Sequence, residues 1–181
     1  MLLFKDIDKF PKSQNGCVVT IGKFDGVHLG HQLIFDQLKS QAVKLDSASL
    51  VIVIEPHPEE FFARHNDIQL KRLNTIREKL ELLETVGVDF VYQFNFDEIT
   101  SEISAESYIK DILVDGLGIR GIIIGDDFRF GKNRLGSYSL LEEYGEKYDY
   151  QVFKTAAYER NGHRISSTFV REQLLGSNFD L

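Results

Sequence analysis

The sequence is poor in cysteine and in positive charge, and it contains no long apolar run. Its one cysteine, Cys17, cannot close an internal disulfide, and no Cys/His cluster has zinc-ligand spacing. A disulfide scaffold and a zinc module are thereby excluded, and a reducing, cytoplasmic setting is expected. There are 21 Lys and Arg against 28 Asp and Glu, a net charge of −7. That balance argues against a general binder of nucleic acid or anionic membrane. A phosphate-bearing small molecule is still compatible, because helix N-termini and a few arginines can hold one. No apolar stretch approaches the roughly 18–20 residues of a membrane span, and the start, MLLFKDIDKF, has no signal-peptide core.

What is present is a globular composition: 43% hydrophobic and 27% charged residues in 181. This length suits one domain, 1–181, within the usual range of roughly 100–200 residues. Short apolar runs alternate with segments of helical period. Cys17–Gly22 (CVVTIG), Leu50–Ile54 (LVIVI), Val88–Phe94, Gly121–Gly125 (GIIIG) and Tyr150–Lys154 read as strands. Between them, Leu29–Leu45, a stripe of Ile76, Leu80 and Leu83 ending at Gly87, Ser104–Asp115 and Ser137–Lys147 have helical spacing. Thr75 and Glu78 form a capping-box signature. Asn161-Gly162 marks a hairpin within Tyr158–Ile165, and a short last helix begins near Thr168. Continuous apolar strands alternating with amphipathic helices predict an α/β fold. It is a doubly wound, Rossmann-like parallel sheet of five strands with helices on both faces, followed by a small β-hairpin and helix. Ala63–Lys71 is a polar stretch that reads as a flap. In such folds ligands bind beyond the carboxyl ends of the strands, so the residues just after each strand are the informative ones.

After the first strand come Gly22-Lys-Phe-Asp-Gly26-Val-His28-Leu-Gly30-His31. Gly22 and Gly26 permit a tight turn and close backbone approach. His28 and His31 are three residues apart and so lie about 4.5 Å apart along one helical face. Gly30 leaves space above the helix end, where free N–H groups attract phosphate. Two imidazoles there can meet the charge that grows on phosphate oxygens during displacement at phosphorus. The second strand ends in Glu55-Pro56-His57-Pro58, followed by Phe61 and Phe62, either a rigid loop over two core phenylalanines or part of a site. The fourth ends in Gly125-Asp126-Asp127-Phe128-Arg129-Phe130-Gly131, where carboxylates, an arginine and two aromatics suit a flat polar ligand or a surface ion pair. Finally, Arg164, Ser166, Ser167, Thr168 and Arg171 surround a helix start. Either Ser167 or Thr168 is an N-cap, or the hydroxyls and arginines cradle a triphosphate.

These motifs carry a resemblance. GKFDGVHLGH is similar to the HxGH signature of the nucleotidyltransferase superfamily. In the form FDGVHLGHQ it resembles the FMN adenylyltransferase (FAD synthetase) domain of the bacterial bifunctional riboflavin kinase/FMN adenylyltransferase family. EPHP, GDDFRFG and RISSTFVR match that family's remaining motifs in order, from about Cys17 to Leu175. Two positions depart from it: Ile54 stands where Phe is usual, and Phe169 where Arg is frequent. The resemblance implies a nucleotidyltransferase-type fold and transfer of AMP from ATP to FMN, giving FAD and pyrophosphate with magnesium. It implies His28 and His31 as catalytic. Gly22, Phe24, Asp25, Gly30, Arg164, Ser167, Thr168 and Arg171 fall on the nucleotide side, and Pro56, His57, Asp127, Phe128 and Arg129 on the flavin side. No residues remain for a riboflavin kinase module, which is expected as a partner domain in a full-length protein. Two other readings stay open: an HxGH enzyme with another phosphate acceptor (phosphopantetheine or nicotinamide mononucleotide), and a non-catalytic flavin or nucleotide binder. His65 and His163 read as solvated, and Cys17 as a small buried residue.

Overall fold

The structure is a computed structural model, and it describes residues 1–12, 15–63, 71–125 and 127–177. Six strands form one sheet: β1 (Leu2–Phe4), β2 (Cys17–Gly22), β3 (Ala48–Glu55), β4 (Phe90–Asn95), β5 (Ile119–Gly125) and β6 (Gln151–Thr155). Their spatial order is β1-β4-β3-β2-β5-β6 and every pairing is parallel. The helices are α1 (Leu29–Lys44), α2 (Pro58–Ala63), α3 (Ile76–Val86), α4 (Glu98–Ser101), α5 (Ala105–Ser107), α6 (Tyr138–Tyr148) and α7 (Ser167–Leu175). A two-stranded hairpin of β7 (Glu159–Arg160) and β8 (His163–Arg164) precedes α7.

The predicted doubly wound sheet is present, with one more strand than the five expected. Three residues, Leu2–Phe4, pair with Phe90–Tyr92 and extend the sheet at the β4 edge. A three-residue edge strand has too little alternation to be read from sequence. The predicted helix over Ser104–Asp115 is also modified. After α5 the chain widens into a π-type coil over Tyr108–Val114, with the Asp115 N–H donating to the Lys110 carbonyl five residues back (2.8 Å).

Strand side chains alternate between two cores, one on each face of the sheet. In β3, Leu50 and Ile52 join Val19, Ile109, Leu113, Ile122 and Leu141 on one face. Val51 and Val53 join Val18, Phe35, Leu38 and Leu83 on the other, under α1 and α3. Burial on both faces explains why these strands are continuous apolar runs. Cys17 is buried among them, its thiol pKa pushed up to about 12 by burial. From β2 the chain winds outward through β3 to β4, then returns past β2 to β5 and β6. The connections after β2 and β5 therefore diverge, and the crevice they leave lies at the carboxyl ends of those strands.

Candidate active site

The turn after β2 is built around left-handed backbone: φ is 48° at Phe24, 82° at Gly26 and 42° at Val27. Glycine fits at position 26 because a Cβ there would lie 2.7 Å from Leu73 Cδ1. Phe24 is buried and packs edge-on against His31, ring centroids 5.2 Å apart. The Asp25 carboxylate is fully buried. It accepts from the Leu73 N–H (3.0 Å) and the Asn74 N–H (3.4 Å), and it pairs with the Arg171 guanidinium. Arg171 Nε also donates to the Lys71 carbonyl (2.7 Å), and Ser167 Oγ donates to the Asp25 carbonyl (2.9 Å). The resemblance implies Asp25 and Arg171 on the nucleotide side. The structure brings them together, but each satisfies the other, so their side chains tie the β2 turn to residues 71–74 and to α7.

His28 is the N-cap of α1 and makes no side-chain cap. Its ring stacks on that of His31, centroids 3.7 Å apart and planes 20° from parallel. Both Nδ1 atoms are buried without a protein partner. Burial lowers the pKa of both, that of His31 to about 3, with the charges of His28, Lys79 and Lys23 adding to the effect on His31. Both imidazoles are therefore neutral at pH 7. They stand at a helix N-terminus whose first N–H groups lack intrahelical acceptors.

The last motif meets the first at Gly30. A Cβ on Gly30 would sit 3.1 Å from the Ile165 carbonyl and 3.2 Å from the His28 ring, so the glycine allows the two turns to touch. Ser166, rather than Ser167 or Thr168, is the N-cap of α7, accepting from the Phe169 N–H (3.2 Å). Ser167 and Thr168 thus open the helix itself. Arg164 pairs with Asp127 (3.0 Å), joining the loop after β5 to the hairpin. His163 is exposed, as expected, and also stacks on Phe169 with centroids 5.3 Å apart.

The end of β3 departs most from expectation. Pro56 follows Glu55 through a cis peptide bond. His57, predicted on the flavin side, is fully buried, and its Nε2 lies 3.3 Å from Lys79 Nζ. Its ring is therefore beneath the loop and not on its surface. Phe62 is 58% exposed, which overturns its reading as a core residue. With Phe61 and Phe96 it forms an aromatic cluster, centroids 5.2–5.8 Å apart. In the loop after β5, Phe128 stacks on Phe130 (5.6 Å), and Arg129 Nη1 donates to the Phe128 carbonyl (2.8 Å). Asp126, His65 and all of the Ala63–Lys71 stretch between its two end residues lie outside the described residues. Among the described residues no cluster of His, Cys, Asp and Glu is arranged to hold a metal ion.

A family model described as FAD synthetase matches residues 10–169. The chain belongs to the FAD synthetase family. Its relatives include the bifunctional riboflavin kinase/FMN adenylyltransferase of Escherichia coli K12, 40% identical over 93% of this chain and 53% of that protein. The protein of the same description from Pseudomonas fluorescens is 38% identical over 100% of this chain and 57% of its own length. The FAD synthetase-family chain thus spans about half the length of the curated relatives it matches. A solved structure described as a macrolide-efflux protein from Streptococcus pneumoniae superposes with a TM-score of 0.81 over 98% of this chain and 56% of its own. At 22% identity it shows the fold alone.

Beneath the strand ends this FAD synthetase-family chain holds charged residues that none of the four motifs contains. Arg72 donates to both oxygens of Glu55 (2.6 and 3.1 Å) and pairs with Glu60. Lys79 is fully buried. One sign of it was available in the sequence: position 79 falls within the apolar stripe of Ile76, Leu80 and Leu83, where a charge is out of place.

Proposed function

We propose that this chain transfers AMP from ATP to FMN. An FMN phosphate oxygen attacks the α-phosphorus, the bond from that phosphorus to the oxygen bridging to the β-phosphate breaks, and pyrophosphate leaves with FAD as product. The attacking phosphate is already an anion at neutral pH, so no side chain has to remove a proton. Catalysis then rests on positioning and on meeting developing charge. His28 and His31 supply neutral imidazoles, and the opening turns of α1 and α7 supply N–H groups, for the ATP phosphates. Ser167, Thr168 and Arg164 hold the triphosphate. Gly22, Phe24 and Gly30 keep backbone close to the nucleotide, while Asp25 and Arg171 position these elements from below.

The flavin side is assigned to Pro56, Asp127, Phe128 and Arg129, with His57 supporting the turn from within. Phe62, exposed and packed edge-on against the half-buried Phe61 and Phe96, offers the aromatic face that Ile54 does not, suited to contact with an isoalloxazine ring. Magnesium arrives with the nucleotide as MgATP in this reading, held by ATP oxygens and water. The setting is cytoplasmic, one adenylyltransferase domain spans the chain, and a riboflavin kinase, the other activity in the relatives' descriptions, provides the FMN. No helix of the described residues is long and apolar enough to cross a membrane.

The observation that carries this reading is the convergence of the stacked His28–His31 pair with the Ile165 carbonyl at Gly30. Its test is product analysis with a panel of acceptors. The chain is incubated with MgATP and, separately, FMN, nicotinamide mononucleotide or phosphopantetheine, and the products are separated by chromatography. FAD and pyrophosphate in equal amounts, with no adduct of the other acceptors, is the expected result. An adduct of either alternative in place of FAD would reassign the acceptor, and FMN binding without FAD would make the chain a binding module.

A further inference from the structure

Lys79 projects from α3 into the space beneath the ends of β2 and β3. Its side chain is 0% exposed, and its Nζ lies 3.3 Å from His57 Nε2 and 3.9 Å from the nearest Glu55 oxygen. Arg72 already takes both Glu55 oxygens and pairs with Glu60, and Arg171 takes Asp25. Each carboxylate near Lys79 therefore has a closer cation, and the nearest polar neighbour of this buried ammonium is a ring nitrogen. An ammonium so placed carries a large desolvation cost, and a Leu or Met would pack in the same apolar stripe without it. Fold stability alone does not account for it.

We propose that Lys79 is a positioning residue for the adenylyl transfer: its ammonium fixes the His57 ring under the flavin-side turn and holds a positive charge behind the paired histidines of the nucleotide-side turn. This inference rests on the function proposed above. With the Lys79 ammonium donating, His57 Nε2 is the acceptor and the ring proton falls on Nδ1, a buried atom to which no protein group hydrogen-bonds. The Lys79 charge also acts on both His57 and His31, disfavouring a second proton on either ring. The groups around it are Glu55, His57 and Glu60 from β3 and the turn into α2, Arg72 before α3, and Asp25 and His31 from the β2 turn and α1. One buried cation thereby acts on an imidazole in each half of the site, although it touches neither substrate.

The test compares the unaltered chain with Lys79→Met, measuring FAD formation and histidine titration by ¹⁵N NMR. In the unaltered chain His57 is expected to be neutral at pH 7, with Nε2 unprotonated. Lys79→Met is expected to lower kcat roughly 10–100-fold, the scale of a misplaced reacting group, with KM for MgATP changed by less than about threefold. The titration midpoints of His57 and His31 are expected to rise together. An unchanged kcat, or unmoved midpoints in a folded variant, would overturn the proposal. If the variant does not fold, the unaltered chain decides: a proton on His57 Nε2 would contradict it, and an Nδ1–H tautomer would uphold it. An unaltered chain that makes no FAD refutes the proposed reaction, whereas the titrations still decide whether Lys79 governs the two histidines.

Discussion

His28 and His31 stand as stacked neutral rings at the start of α1, with ring nitrogens that no protein group satisfies. Removing one charge-stabilising donor typically costs about 10²–10³-fold in rate. His28→Ala is therefore expected to lower kcat for FAD formation by that factor, and near-normal turnover would remove His28 from the mechanism. The depressed His31 pKa also makes a stability prediction. Folded His31 takes up a proton only near pH 3, against 6.5 for the ordinary group. Between those values the unfolded chain binds more protons. The stabilisation is complete above pH 6.5 and is lost as pH falls, by at most about 1.4 kcal/mol per pH unit. His28 and His57 shift in the same direction. Urea unfolding at pH 7.5 and 5.5 should show lower stability at the acid end, and His31→Phe should reduce the difference. Asp25 is a separate matter, a buried carboxylate with two backbone donors and Arg171. Asp25→Ala is expected to destabilise by about 3–5 kcal/mol, as when one partner of a buried pair is removed. His28 and His31 were legible in the sequence because their spacing and glycines are local. The burial of His57 was not, because its partner Lys79 lies 22 residues away.

Among the elements, α1 and α7 matter most, because their N-termini are brought together over one glycine. At Gly30 an added Cβ would press on the Ile165 carbonyl and the His28 ring, although alanine is the better helix former. Gly30→Ala should therefore leave the melting temperature nearly unchanged and lower kcat/KM about tenfold or more by shifting the two turns apart. Equal activity in glycine and alanine forms would show that the contact has slack. The α3 start was readable from Thr75 and Glu78. Its capping box is present, with the Thr75 N–H donating to Glu78 Oε2 (2.7 Å), and Thr75→Ala should cost about 1 kcal/mol in thermal or urea unfolding. Three short elements escaped the sequence. β1, α2 and α4 are too short to show a period, and the π-type coil after α5 keeps the apolar face of an ordinary helix.

For the whole molecule, the strand order decides where the chemistry sits. The β2, β3 and β5 runs were recognisable because both faces of the sheet are buried, and the order β4-β3-β2-β5-β6 brings three of the four motifs to adjacent strand ends. The fourth, on the β8–α7 turn, reaches the first through Gly30 and Asp25. Spanning about half of its curated relatives, the chain holds the motifs ascribed to adenylyl transfer within residues 22–171. The most direct test of this account is the single-turnover rate of FAD formation from MgATP and FMN by the purified chain, compared with His31→Ala. FAD formation by the unaltered chain and a loss of roughly 10²-fold or more in the variant is the predicted result. Equal rates for the two, or no FAD from the unaltered chain with both substrates bound, would contradict it.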